Sequence, residues 1–284
     1  MQFPKWVNLS VVCWFWLSAY ATAQPPNGTI DSDEKNSPGD VPNVNRLAPI
    51  TADKTILSLS KEGGVWIDLS RKWVVVDGSI CLRDGQLEMF ACPRQTKEHE
   101  SVVSVASSAR LIHAALLAVG AKTGTPVQFD PSYKRATGAV VDIVMVWKND
   151  KGNVHASLAQ DWIRKGNGKK TMEYAWVFGG SGFWKDPNSG EKHYYGDDGS
   201  LVCLSNFPTA TLDLPVESTK DNNALMFSAN TVNIPPLKTA VRMVLLERKD
   251  VDPKRVPKAL VKSEELINEV QKWAQALEDR RNSQ

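Results

Sequence analysis

The run ACPRQTKEHESVV, residues 91–103, concentrates metal-capable and acid/base side chains. If its second half is a strand, Glu98 and Glu100 share one face and His99 takes the other. The two carboxylates then stand roughly 7 Å apart, a spacing for a hard cation or an acid/base pair. Alternatively, His99 joins Cys92 and the later His113 in a zinc-type nitrogen/sulfur site that keeps one coordination position open, as catalytic zinc does. The order Cys-x6-His-x13-His matches no established metal signature. The same residues have an architectural reading, and it is preferred. His113 shares a helix face with Ala109, Leu116 and Leu117, which describes a hydrogen-bonded core histidine. Glu98 and Glu100 can meet Lys97, Arg94 or Arg110 in ion pairs. Glu88, expected opposite Cys81 in a hairpin, needs a partner if buried.

Two further stretches carry polar chemistry. Gly179-Gly180-Ser181-Gly182 lacks the order of a phosphate loop, of a dinucleotide fingerprint and of a nucleophile elbow, so it reads as a strand-ending turn. The loop DPNSGEKHYYGDDG, residues 186–199, is rich in oxygen ligands but lacks the regular order and terminal glutamate of a calcium loop. Aromatic residues offer a binding face instead, for sugar rings or peptides. Trp66, Trp73, Trp147 and Trp176 sit in apolar runs and are assigned to packing. Trp184, Tyr194 and Tyr195 lie in polar surroundings and are the candidate ligand-binding aromatics.

The elements that must position these residues are mostly strands. VWIDL and WVVV are β-rich runs separated by the turn-sized Ser70-Arg71-Lys72. Asp84-Gly85 signals a two-residue hairpin that sets Leu82 opposite Leu87, Ile80 opposite Met89 and Cys81 opposite Glu88. In that register Cys81 and Cys92 are offset by roughly 13 Å along the strands, too far for a disulfide, whose Cα atoms lie within about 7 Å. Ser107 or Ser108 can cap a helix through ARLIHAALLAVG that Gly120 stops. Its apolar residues cover nearly the whole circumference, so burial all round is expected. VVDIVMVW, the stretch 173–178, LVCL and AVRMVLLE supply later strands. Beyond them, Leu266, Val270, Trp273 and Leu277 form a narrow helical stripe. Docking on the domain is preferred to self-association, because short amphipathic helices depend on tertiary packing.

The N-terminus reads as a secretory signal over residues 1–23: Lys5, a mostly apolar stretch, then Ala21-Thr22-Ala23 as a small-residue cleavage site. The apolar stretch is interrupted by Asn8, Ser10 and Ser18 and falls short of the ~20 residues that span a bilayer. No later segment is apolar enough to do so. Residues 24–60, dense in Pro, Asn, Asp and Ser, read as a disordered tether. The formal charge of +2 drops to +1 without Lys5, and the basic residues are dispersed, which argues against nucleic-acid binding. Cys13 leaves with the signal. Cys81, Cys92 and Cys203 remain, an odd number that implies at least one free thiol, metal ligand or intermolecular link.

The ordered motifs VWIDLSRKWVVVDG, LEMFAC, TKEHESVV, LIHAALLAVGA, WVFGGSGF and LSNFPTATLDLP resemble the YdjY-domain family of secreted bacterial proteins. The similarity is to the long, signal-bearing form common in planctomycete-type bacteria. It implies a fold and a compartment rather than a reaction. Some relatives carry a ferredoxin-like label. This chain has no Cys-x-x-Cys-x-x-Cys run, and three mature cysteines cannot supply the four thiolates of a typical cluster, so no iron–sulfur cofactor is expected.

The expectation is an α+β, β-rich single domain over residues 61–250 with one buried central helix, followed by a linker and a C-terminal amphipathic helix over 251–284. Functionally the expectation is an exported, periplasmic or extracellular, non-catalytic module that binds a ligand or an envelope partner. A metal-dependent enzyme using Cys92, His99 and His113 with a glutamate base is the alternative. A structural envelope protein associating through its last helix is a third.

Overall fold

A computed structural model describes residues 47–50, 56–60, 64–166, 168, 170–218, 225–249, 251, 256–258 and 263–283. The expected signal and most of the expected tether lie outside them. In chain order the described residues form β1 (Ile56–Ser58), β2 (Val65–Asp68), β3 (Trp73–Ile80), β4 (Met89–Pro93) and β5 (Ser101–Val105). There follow α1 (Ala109–Ala118), β6 (Val140–Lys148), β7 (Val154–Leu158), β8 (Ile163–Lys165), β9 (Trp176–Val177), β10 (Phe183–Lys185) and β11 (Lys192–Tyr194). The last are β12 (Val202–Cys203), β13 (Phe227–Ala229), β14 (Ala240–Arg248) and α2 (Glu264–Asn282). The α+β class expected from the sequence is the observed one.

The main sheet runs β12-β4-β5-β3-β14-β6-β7. Its centre is antiparallel: β14 pairs with β3 on one side and β6 on the other. Each of those long strands divides its outer edge between two neighbours. β3 takes β2 along its first half and β5 along its second; β6 takes β7 and β9. The continuous apolar character of these strands follows from burial on both faces. Val74, Val76, Val141, Ile143, Met145, Val241, Met243 and Leu245 face a core that includes Ile112, Ala115 and Leu116 of α1. Trp73, Val75, Val144, Val146, Val244 and Leu246 face a second core closed by Val270, Trp273, Ala274 and Leu277 of α2.

The second face corrects the extent of the expected tether. Leu47, Ala48 and Ile50 are buried against it, and β1 pairs with β2. Polar contacts lock this segment. Arg242, buried on β14, donates from Nε and Nη2 to Asp77 (2.6 and 3.0 Å) and from Nη2 to the Ala48 carbonyl (3.1 Å). Glu278 of α2 accepts from the Ala48 amide and from Lys148 Nζ (3.2 Å). The stripe considered for self-association is thus spent on the chain's own sheet.

Local signals set the hairpin β2–β3. Asp68 Oδ1 accepts from the amides of Ser70 and Arg71 (2.9 Å each), an Asx-type turn, and Lys72 takes the left-handed conformation (φ 60°). The Asp84-Gly85 hairpin is corrected. Gly85 does turn the chain (φ 104°), but β3 and β4 are not paired. β5 lies between them, antiparallel to β3 and parallel to β4, so Cys81 meets the Val102 carbonyl rather than Glu88. Cys81, Cys92 and Cys203 are all free thiols.

α1 starts at Ser108, whose Oγ accepts from the Leu111 amide (3.2 Å), and ends before Gly120 (φ 98°). It is buried on one face only; Arg110, Ala114, Leu117 and Ala118 are exposed, contrary to burial all round. Apolar residues on the outer face of a helix need not mean a second covering layer. Among the described residues no helix is long and apolar enough to cross a membrane.

Candidate functional site

The 3-10 turn Tyr195–Asp198 sits against the start of α1, where the Arg110 amide donates to Asp197 Oδ1 (3.0 Å). A carboxylate there complements the positive end of the helix. Just before this turn, the expected polar loop is a two-stranded hairpin, β10–β11, pairing Phe183 with Tyr194 and Trp184 with His193. Asp186 nucleates its bend by accepting from the amides of Asn188 and Ser189, and these bonds hold its carboxyl below the usual range.

Alternation along β11 sends its side chains to different places. Tyr194 turns inward and is only 2% exposed, so its expected exposure is corrected. Its hydroxyl donates to the Gly180 carbonyl (3.2 Å) and meets His113 Nδ1 (2.9 Å) and Thr211 Oγ1 (3.0 Å). Burial pushes the phenol up to about 12 and lowers the His113 pKa, which leaves both neutral near pH 7. His113 is therefore the hydrogen-bonded core histidine of the architectural reading, packed edge-on to Phe178 at 4.9 Å. The glycine run serves the same contact. Gly180 has φ 87°, and a Cβ there would stand 2.7 Å from Thr123 Cγ2. It is a close-packing turn.

His193 points outward and stacks on Trp184, with ring centroids 4.7 Å apart and planes 23° apart. Phe183 is 54% exposed and Trp184 37% exposed; Tyr195 is half-buried. Beside them opens a cleft of about 160 Å³ lined by Arg110, Lys192, His193, Tyr194 and the acids Glu191, Asp197 and Asp198. Arg110, Lys192, His193 and Asp197 were missed in the sequence. A signal for Lys192 and His193 was available: of the six residues between FWK and KHY, the five from Asp186 to Gly190 are turn formers, which describes a hairpin.

The far end of the same 3-10 turn rests on the second cluster. Gly199 (φ 126°) lies where a Cβ would meet Lys97 Cγ at 2.6 Å. Lys97 Nζ stands 3.2 Å from Glu100 Oε1 and 3.7 Å from Glu88 Oε2, and 4.7 Å from the centre of the Phe207 ring. Glu98–Glu100 is a 3-10 turn, not a strand, so the two carboxylates do not share a strand face. Glu98 instead accepts from the Gln95 amide (2.6 Å). Proline and a left-handed Gln95 (φ 63°) break the extension after β4. Glu88 is nearly buried, and burial together with Glu100 raises its pKa against the pull of Lys97. The lysine bridging both acids makes this an ion-pair cluster, the partner that a buried Glu88 requires.

The zinc-type constellation is not assembled. Cys92 is buried on β4, His113 is bonded to Tyr194, and the His99 side chain is 75% exposed, 3.9 Å from Glu100 Oε2. Among the described residues no group of three His, Cys, Asp or Glu side chains is disposed to hold a metal ion. The thiols are also unsuited to attack. Burial pushes Cys81 up to about 12 and raises Cys92 and Cys203 as well.

The comparisons with known proteins bear on the same region of the chain. The family model described as the YdjY domain matches residues 65–246, from β2 through most of β14. No curated protein and no solved structure matches the chain.

Proposed function

The chain belongs to the YdjY-domain family, and from that premise we propose that it is an exported, non-catalytic module that binds a macromolecular partner outside the cytoplasm through the β10–β11 hairpin. One observation carries the binding reading: a short hairpin leaves an aromatic ring exposed on each of its faces, Phe183 beside Tyr194 (5.1 Å) and Trp184 stacked on His193 (4.7 Å), next to a mixed-charge cleft. Exposed aromatics ringed by polar groups are the usual anchors of protein interfaces. The cleft's 160 Å³ is below the ~300–1,000 Å³ of small-molecule pockets, which favours a partner presenting its own surface. Export rests on Lys5, the apolar stretch behind it and Ala21-Thr22-Ala23, the signal-bearing form that the sequence resembles.

Two measurements test this. N-terminal sequencing of the protein recovered from the producing cell is expected to begin at Gln24 in the extracytoplasmic fraction; an intact Met1 start in the cytosol rejects export. Chemical crosslinking in the same cells is expected to give a defined adduct. The double variant Phe183→Ser and Trp184→Ser should lose it while keeping its thermal midpoint. An unchanged adduct, or a variant that no longer folds, assigns these aromatics to packing and removes the proposal.

A further inference from the structure

A second cleft, apart from every candidate site residue of the sequence, opens beside the cross-strand pair Trp147–His155 of β6 and β7, and it brings to a surface a tryptophan assigned to packing. It is a broad depression open to solvent, and its volume of about 450 Å³ matches a small ligand in size. One wall is aromatic: Trp147 and His155 stack with centroids 5.6 Å apart and planes 21° apart. Trp162 backs this wall edge-on to Trp147 at 5.4 Å. The opposite wall is the segment from Val232 through Pro236, with Val232 itself 82% exposed.

The charged group lining this cleft is a cation, Arg83. Arg83 gives Nε to the Ile234 carbonyl (3.1 Å) and Nη2 to the carbonyls of Thr231 and Ile234 (3.0 Å each). Thr231 Oγ1 returns a bond to the Arg83 carbonyl (2.8 Å). The guanidinium is thereby fixed, and among the described residues its Nη1 makes no hydrogen bond. Asn149 Oδ1 accepts from the amides of Lys151 and Asn153 (3.0 Å each), which fixes its Nδ2 as the donor to His155 Nε2 (2.9 Å). His155 must then carry its proton on Nδ1, a further donor. Among the described residues no Asp or Glu lines the cleft. The 230s segment is held in place too, by Asn233 Nδ2 and Asn230 Nδ2 on the Asp161 carbonyl (2.9 and 2.8 Å).

We propose that this cleft is a binding site for a small ring-bearing carboxylate, its ring over the Trp147–His155 face and its carboxylate on Arg83. A pre-set cation, an aromatic platform and the absence of acidic lining together select an anion with a flat or saccharide ring. Two chemical sources fit, an aromatic acid or a sugar acid, and the test separates them. Calorimetric titration of the purified protein with 4-hydroxybenzoate and with glucuronate is expected to give saturable one-to-one binding of at least one. The neutral counterparts, 4-hydroxybenzamide and glucose, should bind at least about tenfold more weakly. Arg83→Gln should cost a similar factor. Val232→Asp, at a side chain 82% exposed, should do so with an unchanged thermal midpoint, by placing a negative charge on the exposed wall. The Phe183→Ser and Trp184→Ser protein should bind like the parent, which keeps this site's fate separate from that of the hairpin. Failure of both acids to bind, equal binding of the neutral compounds, or an unaffected Val232→Asp protein overturns the assignment.

Discussion

Asp213 is fully buried, and its two carboxyl oxygens are treated very differently. Oδ1 accepts from Asn206 Nδ2 (3.0 Å) and the Leu214 amide (2.8 Å), whereas Oδ2 has no partner among the described residues. Burial outweighs these bonds and pushes the carboxyl from 3.8 up to about 7. Because the folded state holds the proton more tightly, its stabilisation is complete below pH ~4 and declines as pH rises through 7. The loss is on the order of 4 kcal/mol. Thermal midpoints measured from pH 4 to 8 should fall, and Asp213→Asn should flatten that slope and be the more stable protein at pH 8. Tyr194→Phe removes the hydroxyl joining His113, Thr211 and Gly180, with an expected cost of about 1–3 kcal/mol in denaturant unfolding. At this scale the sequence was half legible. His113 was readable as a core residue from its helix face. Tyr194 was not readable as buried, because its neighbours are polar and only the hairpin register turns it toward α1. The partners of Glu88 were hidden for a similar reason: Lys97 is brought to it by a turn, and turn geometry is not encoded in alternation.

Helix α2 closes one whole face of the sheet with few residues. Trp273 meets Trp73 edge-on at 5.8 Å, and Glu278 ties Lys148 and the Ala48 amide together in a nearly dry setting. Trp273→Ala is expected to cost about 3–5 kcal/mol. Removing α2 altogether should leave Val75, Val144 and Val146 bare and give an aggregating chain rather than a folded domain with a lost partner, as judged by light scattering. The docked helix was legible from its i, i+3, i+4 stripe, as were β2, β3, β6 and β14 from their apolar runs. Pairing was less so. Asp84-Gly85 is a sound local turn signal, yet the strands on either side separate because β5 enters between them. A parallel partner supplied from further along the chain leaves no mark on the turn itself.

Across the whole molecule the two cores are opposite faces of the same strands, β3, β14 and β6. Neither face can come apart while the other keeps its support. Unfolding in urea is therefore expected to be a single transition. Far-ultraviolet dichroism and tryptophan fluorescence, which has reporters on both faces in Trp162, Trp176, Trp73 and Trp273, should give coincident midpoints. Separate midpoints would show two independent units. The central position of β14 has a consequence for biosynthesis. The strand that holds the sheet together follows every other strand among the described residues, so a nascent chain that stops short of it lacks the sheet's middle. Such chains keep β3 and β6 without their common partner, and open to chaperones, until residues 240–248 have emerged.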